Sequence, residues 1–308
     1  MSPSLPLVVG LGDVDENVVG PVLSSHARWT SSPSEDDLSV AVGAIVRAHI
    51  VVDVAMLDRM PHLQVLARTG VGTERVDLVA AAARSIPVVI TPGSNTQAVA
   101  EGALAHLLTL TKSLPELTKL VRNNQWSSRD SVTVGDLAGG RLAVLGFGRI
   151  GRKVSDLAQA FGMSVVAYDP YVSEAGVPLA KSVEEAVAGA THISIHLPAT
   201  PETTGLIDPK LVGKLNPGTI LVNLARGEVV DHDALLEGLL SGQLGGVGLD
   251  VFEEEPPRHH ALFDHPKVVL SPHVMGLSTQ STRETFRQAA QGIVDVLAGR
   301  TPEHQAKP

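Results

Sequence analysis

The chain has 308 residues, more than one hydrophobic core usually serves, so two domains of roughly 100 to 200 residues each are expected. The net charge of −9 and the lack of a Lys/Arg cluster argue against nucleic-acid binding. Zero cysteines exclude disulfides, Cys–zinc sites and thiol catalysis, and no metal site is predicted. We see neither a basic leader nor an apolar stretch of membrane-spanning length, and we expect a cytoplasmic protein.

In the N-terminal third, short apolar runs alternate with amphipathic stretches. Strands are predicted at 5–12, 43–47, 63–68 and 87–91. Helical spacing is found near 14–24 and in the segments VDVAMLDRM and ERVDLVAAAARS. This alternation predicts an open α/β domain with a parallel sheet.

A turn-rich segment at 91–96 leads into a pattern that predicts one long helix over 98–123, which Pro115 is expected to kink or divide. A second βα series follows, and its six predicted strands are RLAVLGFG, SVVAYDP, HISIHLP, TILVNLAR, GGVGLDVF and KVVLSPH. The last helix is predicted near 279–298, followed by a frayed tail, TPEHQAKP. The order indicates a smaller domain, a long helix and then a nucleotide-binding type of domain.

The strongest single motif is LGFGRIG, in which Gly146, Gly148 and Gly151 have the spacing of a dinucleotide-binding turn between a strand and a helix. The next strand ends in Asp169, where a carboxylate would accept hydrogen bonds from a ribose and repel a 2′-phosphate. This favours NAD over NADP. The alternative is an ordinary tight turn with an aspartate that caps a loop.

Three later strand ends carry a candidate catalytic trio, Arg226, Glu255 and His273. Reduction of a 2-oxo acid needs a cation for the carboxylate, an acid for the carbonyl oxygen and a carboxylate that orients the acid. Arginine, histidine and glutamate suit these three roles. Taken singly, each has another reading: a surface ion pair for Arg226, a solvated loop for Glu253–Glu255, and a turn residue for His273.

With these residues in place, the sequence resembles the D-isomer-specific 2-hydroxyacid dehydrogenases. The likeness extends from about residue 43 to residue 298, and phosphoglycerate dehydrogenases and hydroxypyruvate or glyoxylate reductases look most similar among the branches. The motifs that carry it are RTGVGTERVDL, NTQAVAE, LGFGRIG, AYDP, HLPATPETTGLI, VNLARG, LDVFEEEPP and SPHVMG.

The resemblance implies roles for individual residues. Arg226 would bind substrate, Glu255 would support the imidazole, and His273 would be the acid–base catalyst. The further cofactor contacts that it implies are Val99, Arg149, Ile150, His196, Leu197, Pro198, Thr203, Leu224, Ala225, Asp250 and Gly276. The amides of Val71 and Gly72 would hold the substrate carboxylate, and Arg47 and Arg68 are candidates for a distal phosphate, although structural ion pairs explain them equally well.

The resemblance also implies an architecture: two Rossmann-like or flavodoxin-like α/β domains with parallel sheets and an active-site cleft between them. The substrate domain would comprise 1–96 plus 280–308, and the NAD-binding domain 97–279. The long helix would contribute to a homodimer. The chain departs from the phosphoglycerate branch at Arg47-Ala48, where Arg-Ser is usual, and carries Met275 beside His273, where a smaller residue is common.

The sequence therefore predicts an NAD-dependent oxidoreductase that acts on a small D-2-hydroxy or 2-oxo acid, of the 3-phosphoglycerate, hydroxypyruvate or glyoxylate type. Two alternatives use the same scaffold. One is a non-catalytic NAD sensor or corepressor, and the other is a formate or phosphite type of dehydrogenase.

Overall fold

A computed structural model describes residues 5–308; the segment 1–4, which belongs to the first predicted domain and to the predicted leaderless start, lies outside it. The chain divides into two compact units. The first runs to Asn95 and also includes Leu277–Pro308, and the second is Thr96–Gly276. The sequence-based boundaries lie within a few residues of these.

The N-terminal part of the first unit alternates strands and helices. In chain order its elements are β1 Leu7–Leu11, α1 Glu16–Leu23, β2 Arg28–Thr30, α2 Glu35–Val40, β3 Ala41–Val46, α3 Val54–Asp58, β4 Val65–Arg68, α4 Leu78–Ala83 and β5 Val88–Val89. Aspartate or serine side chains cap the start of all four helices by accepting from a backbone N–H in the first turn.

The second unit follows the same alternation. Its elements are α5 Thr96–Thr111, α6 Leu114–Arg122, β6 Arg141–Leu145, α7 Arg149–Ala160, β7 Ser164–Tyr168, α8 Val183–Val187, β8 His192–Ile195, α9 Pro209–Val212, β9 Thr219–Asn223, α10 His232–Ser241, β10 Leu244–Leu249 and β11 Val268–Leu270. The chain then returns to the first unit through α11 Thr279–Leu297 and β12 Gln305–Ala306.

Each unit, as far as the structure describes it, contains one six-stranded sheet. The order in the first unit is β12-β5-β4-β3-β1-β2, and only β12 runs antiparallel. The order in the second unit is β11-β10-β9-β8-β6-β7, and every pair is parallel. In both sheets the strand order reverses beside the first strand, as in doubly wound folds. The predicted α/β class with parallel sheets is confirmed.

The sheets lie at the centre of each unit because their strands are largely continuous apolar runs. All five residues of β1 and all five of β9 are buried, because helices cover both faces of a parallel sheet. In the first unit, α11 contributes Phe286, Ala289 and Ile293 to the core beside β3 and β4. The first unit is therefore completed by the end of the chain.

The helical pattern over 98–123 is divided near Pro115, as expected: Ser113 adopts a left-handed conformation (φ 50°) and ends the continuous spiral before α6 begins at Leu114. One sequence prediction needs correction. The tail is not frayed, since β12 pairs with β5. The short elements β2 and α2 had no prediction because an exposed strand of three residues and a helix of six give little periodicity.

None of the helices found in residues 5–308 combines the length and apolar character needed to cross a membrane.

Two histidines of the second unit, His106 and His192, are buried. His192 begins β8, and its ring bonds the hydroxyls of Thr111 (3.1 Å) and Thr191 (2.8 Å). Burial lowers the pKa of His192 from its ordinary 6.5 to about 4. The folded state therefore holds this imidazole neutral, whereas the unfolded chain protonates it below its ordinary pKa.

We predict that His192→Gln reduces the acid sensitivity of the fold. Because the folded pKa is depressed, the stabilisation is complete above about pH 6.5 and is lost as pH falls towards 4. At pH 5 the shifted pKa of His192 lowers the free energy of unfolding by about 2 kcal/mol relative to pH 7. The free energy of unfolding is measured with denaturant at pH 7 and at pH 5. Its decrease between the two pH values should be smaller in the variant than in wild type by about this amount. Equal losses in both proteins would contradict the assignment.

Candidate active site

The glycine-rich turn connects β6 to α7, and packing within the protein requires glycine at two of its three glycine positions. Gly146 has φ +94°, and a Cβ there would lie 2.6 Å from the backbone of His196. A Cβ on Gly151 would lie 2.0 Å from the carbonyl oxygen of Gly146, so α7 packs directly on the turn. A Cβ on Gly148 would meet nothing within 4 Å, which leaves open space above the backbone.

This turn fits a dinucleotide phosphate. Gly148 is the N-cap residue of α7, and no side chain caps this helix start. The amides of Gly148, Arg149 and Ile150 donate to no other atom of residues 5–308. Unpaired amides at a helix start, beside a glycine that leaves room for close approach, are the features that bind a pyrophosphate. The predicted NAD site therefore has the backbone chemistry that the cofactor needs.

Asp169 lies just after β7, next to the turn. Its Oδ2 accepts from Phe147 N (2.8 Å) and its Oδ1 from Tyr171 N (3.0 Å). The carboxylate thus caps the loop, as the alternative sequence reading had it, and each oxygen retains a lone pair for a further donor. Both readings of this residue are compatible with the geometry.

The loop after β8 lies against the turn because β6 and β8 are neighbours at the point where the strand order reverses. Burial lowers the pKa of His196 to about 3, and its Nε2 bonds Ser194 Oγ (2.8 Å). The Thr203 hydroxyl donates within the loop to the carbonyl oxygen of Pro198. Leu197 is buried in the core of the unit. The backbone of His196 and Leu197 thus lies directly against the glycine turn.

Arg226 lies in the turn that follows β9, and a buried asparagine shapes that turn. Asn223 Nδ2 donates to the Arg226 carbonyl oxygen (2.8 Å), and Asn223 Oδ1 accepts from Ala225 N (3.0 Å). Arg226 Nη1 donates to the Ala225 carbonyl oxygen (2.8 Å), and its side chain is half-buried. The guanidinium therefore extends from a backbone that is fixed on both sides.

Glu255 and His273 form the central pair of the site. Glu255 Oε2 bonds His273 Nδ1 at 2.8 Å, and Glu255 Oε1 accepts from Phe252 N at 3.1 Å. The His273 side chain remains 51% exposed. A Cβ on Gly227 would lie 1.9 Å from the carbonyl carbon of Phe252, so the Arg226 turn packs on the segment that leads to Glu255. All three members of the predicted trio lie in this unit, after three adjacent strands.

Asp250 has a structural function that the sequence reading did not include. It is 2% exposed, and its oxygens accept from Ser271 Oγ (2.6 Å), Val274 N (3.0 Å) and Met275 N (3.1 Å). These bonds fix the loop that carries His273. The predicted cofactor contact at Asp250 stays a prediction.

The other predicted cofactor residues of this unit lie at the same carboxyl edge or beside it. Val99, near the start of α5, and Leu224, after β9, are buried in the core cluster beneath the turn. Ala225 is half-buried, and Gly276 is the last residue of the unit. Met275, which precedes Gly276, packs against Gly102. Within residues 5–308, no group of three or more His, Asp or Glu side chains is arranged to hold a metal ion.

The predicted substrate residues belong to the first unit. Arg47 directly follows β3, and Arg68 is the last residue of β4, which pairs with β3. The Arg47 guanidinium lies over the Phe286 ring (5.3 Å), and its buried Nε has no hydrogen-bond partner in the described part of the chain. The amides of Val71 and Gly72 donate to no other described atom.

Sequence reasoning missed four residues that shape the site: Asn223, Gly227, His106 and Ser271. His106 lies on α5, and its Nε2 bonds Ser271 Oγ at 3.1 Å. A polar residue at the end of an apolar strand, as in TILVN, and a histidine within an apolar helix were the available signals.

Comparison with known proteins identifies the family of the chain. Residues 104–275 match the family model for the NAD-binding domain of D-isomer-specific 2-hydroxyacid dehydrogenases. D-3-phosphoglycerate dehydrogenase of Mycobacterium bovis is 40% identical over 283 residues, which cover 89% of this chain and 53% of that protein. This chain thus spans about half the length of the curated relatives that it matches.

Solved structures cover the chain more fully. The TT0316 protein of Thermus thermophilus is 33% identical, with a TM-score of 0.86 over 97% of this chain and 99% of that one. D-lactate dehydrogenase of Aquifex aeolicus, complexed with NAD and lactic acid, is 26% identical, with a TM-score of 0.80 over 95% and 96%. The resemblance and the NAD cofactor predicted from the sequence are thereby confirmed, and the chain belongs to the D-isomer-specific 2-hydroxyacid dehydrogenase family.

Proposed function

We propose that this protein is an NAD-dependent oxidoreductase that transfers a hydride between the nicotinamide and C2 of a D-2-hydroxy or 2-oxo acid. The observation that carries the proposal is the 2.8 Å bond between Glu255 Oε2 and His273 Nδ1, next to the turn that presents Arg226. Family membership and the dinucleotide turn support it. NAD(H), when bound, supplies or accepts the hydride.

The acid–base role falls to His273. Because Nδ1 is engaged by Glu255, Nε2 is the ring atom that exchanges a proton with substrate. In the reductive direction Nε2–H donates to the carbonyl oxygen, and in the oxidative direction neutral Nε2 accepts the hydroxyl proton. The Glu255 carboxylate orients the ring and stabilises the imidazolium, as in other carboxylate–histidine pairs.

Arg226 is proposed to bind the substrate carboxylate through two parallel N–H bonds and to polarise the carbonyl. For the first unit, we propose that the amides of Val71 and Gly72, which donate to no other described atom, bind a substrate carboxylate. Neutralising an anion locally is necessary in a protein of net charge −9.

Among substrates, we propose a phosphorylated 2-oxo acid of the phosphohydroxypyruvate type. Val46 of β3 pairs with Arg68 of β4, so Arg47 and Arg68 leave adjacent strands close together. Two guanidinium groups at one edge of a sheet suit a phosphate. Relatives named D-3-phosphoglycerate dehydrogenase support this choice over hydroxypyruvate or glyoxylate.

We further propose a homodimer formed through the segment 112–136. None of the nine residues of α6 is buried, and Leu114, Val121, Trp126 and Val134 are each about half exposed or more. An apolar surface of this kind on one segment marks an interaction site. A cytoplasmic location and the absence of nucleic-acid binding stay predictions.

We predict that His273→Ala lowers turnover with NADH on the order of a thousandfold or more, because it removes the proton donor. The measurement is loss of nicotinamide absorbance with glyoxylate, pyruvate, hydroxypyruvate, phosphohydroxypyruvate and phenylpyruvate. NADH affinity, followed by fluorescence, should be unchanged. His259→Ala, which removes a surface histidine paired with Asp264, is the matched control. Phosphohydroxypyruvate should rank first.

Failure takes two forms in that experiment. Wild-type protein that binds NADH but reduces no acid would favour the sensor or the formate and phosphite readings. Full turnover by the His273 variant would remove His273 from the mechanism.

We predict that Asp169→Asn raises the use of NADPH relative to NADH about tenfold or more, because it removes the charge that repels a 2′-phosphate. Asparagine keeps one of the two acceptors for the loop, whereas Asp169→Ala loses both and should destabilise the protein further, by about 1 kcal/mol. Comparing steady-state rates with the two cofactors and melting curves separates charge from capping. An unchanged cofactor ratio in both variants would assign Asp169 to the loop alone.

We predict that Val121→Asp combined with Trp126→Asp gives a monomer, since two buried charges would oppose association. Sedimentation should report twice the 32.2 kDa chain mass for wild type and the single mass for the variant. Val79→Asp, an equally exposed apolar position of the first unit, is the control and should stay dimeric. A wild-type monomer would refute the dimer proposal.

A further inference from the structure

A buried hydrogen-bond chain runs from the middle of α5 to the loop that carries His273. His106 Nε2 bonds Ser271 Oγ (3.1 Å), and Ser271 Oγ bonds Asp250 Oδ1 (2.6 Å). The three side chains are 3%, 8% and 2% exposed. The mechanism above gives His106 no function, yet it is the first link of this chain.

The direction of each bond follows from the chemistry of Asp250. A carboxylate only accepts, so the single Ser271 hydroxyl proton points to Asp250 Oδ1. Ser271 Oγ is then an acceptor towards His106, so His106 carries a proton on Nε2. Burial lowers the pKa of His106, although the Asp250 charge opposes this, and the neutral form is thereby favoured.

Packing alone does not account for a histidine at this position. His106 Nδ1 is buried and has no hydrogen-bond partner within residues 5–308, which costs stability that a leucine would not lose. The neighbouring strand is also adapted to the ring: a Cβ on Gly248 would lie 2.7 Å from His106 Nδ1. Gly248 leaves room for the imidazole two residues before Asp250.

The backbone is strained at the His273 end of this hydrogen-bond chain. His273 has φ +54°, a left-handed conformation that costs a non-glycine residue about 1 kcal/mol or more. Three bonds hold it there: His273 N to the Ser271 carbonyl oxygen (3.1 Å), and the amides of Val274 and Met275 to Asp250. The same conformation presents the His273 ring to Glu255.

We propose that His106 is a positioning residue for the acid–base step: by donating from Nε2 to Ser271 Oγ, it helps Asp250 hold the 273–275 loop in the conformation that pairs His273 with Glu255. The role in turnover rests on the proposed function. The effect on the loop does not, and the two can be measured separately.

The test compares His106→Leu, which removes the donor, with His106→Gln, whose side-chain amide restores a donor near the Nε2 position. For His106→Leu we expect kcat to fall about tenfold, while KM and the Kd for NADH change by less than about twofold. Amide hydrogen exchange at Val274 and Met275 should accelerate about tenfold, with exchange across β6 and α7 unchanged. His106→Gln should recover most of both losses.

His192→Gln is the matched control, because it removes another buried histidine of this unit that has no bond to the loop. It should leave kcat and the two amides as in wild type. If His106→Leu does not fold, Ser271→Ala interrupts the same chain with a smaller change in volume and should show the same pattern.

The outcomes separate the two proposals. If wild type reduces no 2-oxo acid, the proposed function fails, and exchange at Val274 and Met275 still decides the positioning role. Equal losses in the leucine and glutamine variants, or exchange that rises throughout the unit, would reduce His106 to a packing residue and overturn the inference. Wild-type kcat and exchange in His106→Leu would overturn it as well.

Discussion

The buried carboxylate of Asp250 accepts three hydrogen bonds at the carboxyl edge of the second sheet, and the geometry of the site depends on them. A buried carboxylate is costly unless its lone pairs are matched by donors. Here two of the three donors are amides of the loop that presents His273. The same hydrogen bonds therefore pair the carboxylate with donors and fix the loop. Losing them would leave the charge without these donors and free the loop.

The remaining residues of the trio depend on the same edge through backbone contacts. Asn223, 0% exposed, shapes the Arg226 turn, and its own carbonyl oxygen accepts from Asp250 N (3.0 Å). Gly227 lets that turn pack against the Phe252 backbone, and the Phe252 amide donates to Glu255 Oε1. Three adjacent strands thus deliver a cation, a carboxylate and an imidazole whose backbones are mutually braced, which is how a rigid scaffold preorganises a site.

Much of this arrangement could be predicted from the sequence. Val- and Leu-rich runs located β6 to β11, and the polar residues after β9, β10 and β11 indicated which side chains would meet. The residue at which the long helical pattern divides, Ser113, could not be predicted, because propensity carries no signal for a left-handed non-glycine residue. His106 and Ser271 could not be paired, because residues 106 and 271 are brought together only by tertiary packing. β12 was missed because a strand of two residues has no period.

The discontinuous first unit has a consequence for synthesis. Its core includes Phe286 and Ile293 of α11, which are made only after the whole of the second unit. The second unit, Thr96–Gly276, is continuous in sequence and has all of its core residues once Gly276 has left the ribosome. One face of the first sheet, by contrast, is only partly covered until α11 is made, and its completion requires closure of a loop that contains an entire folded unit. During translation, the half that binds NAD is therefore the first to become native.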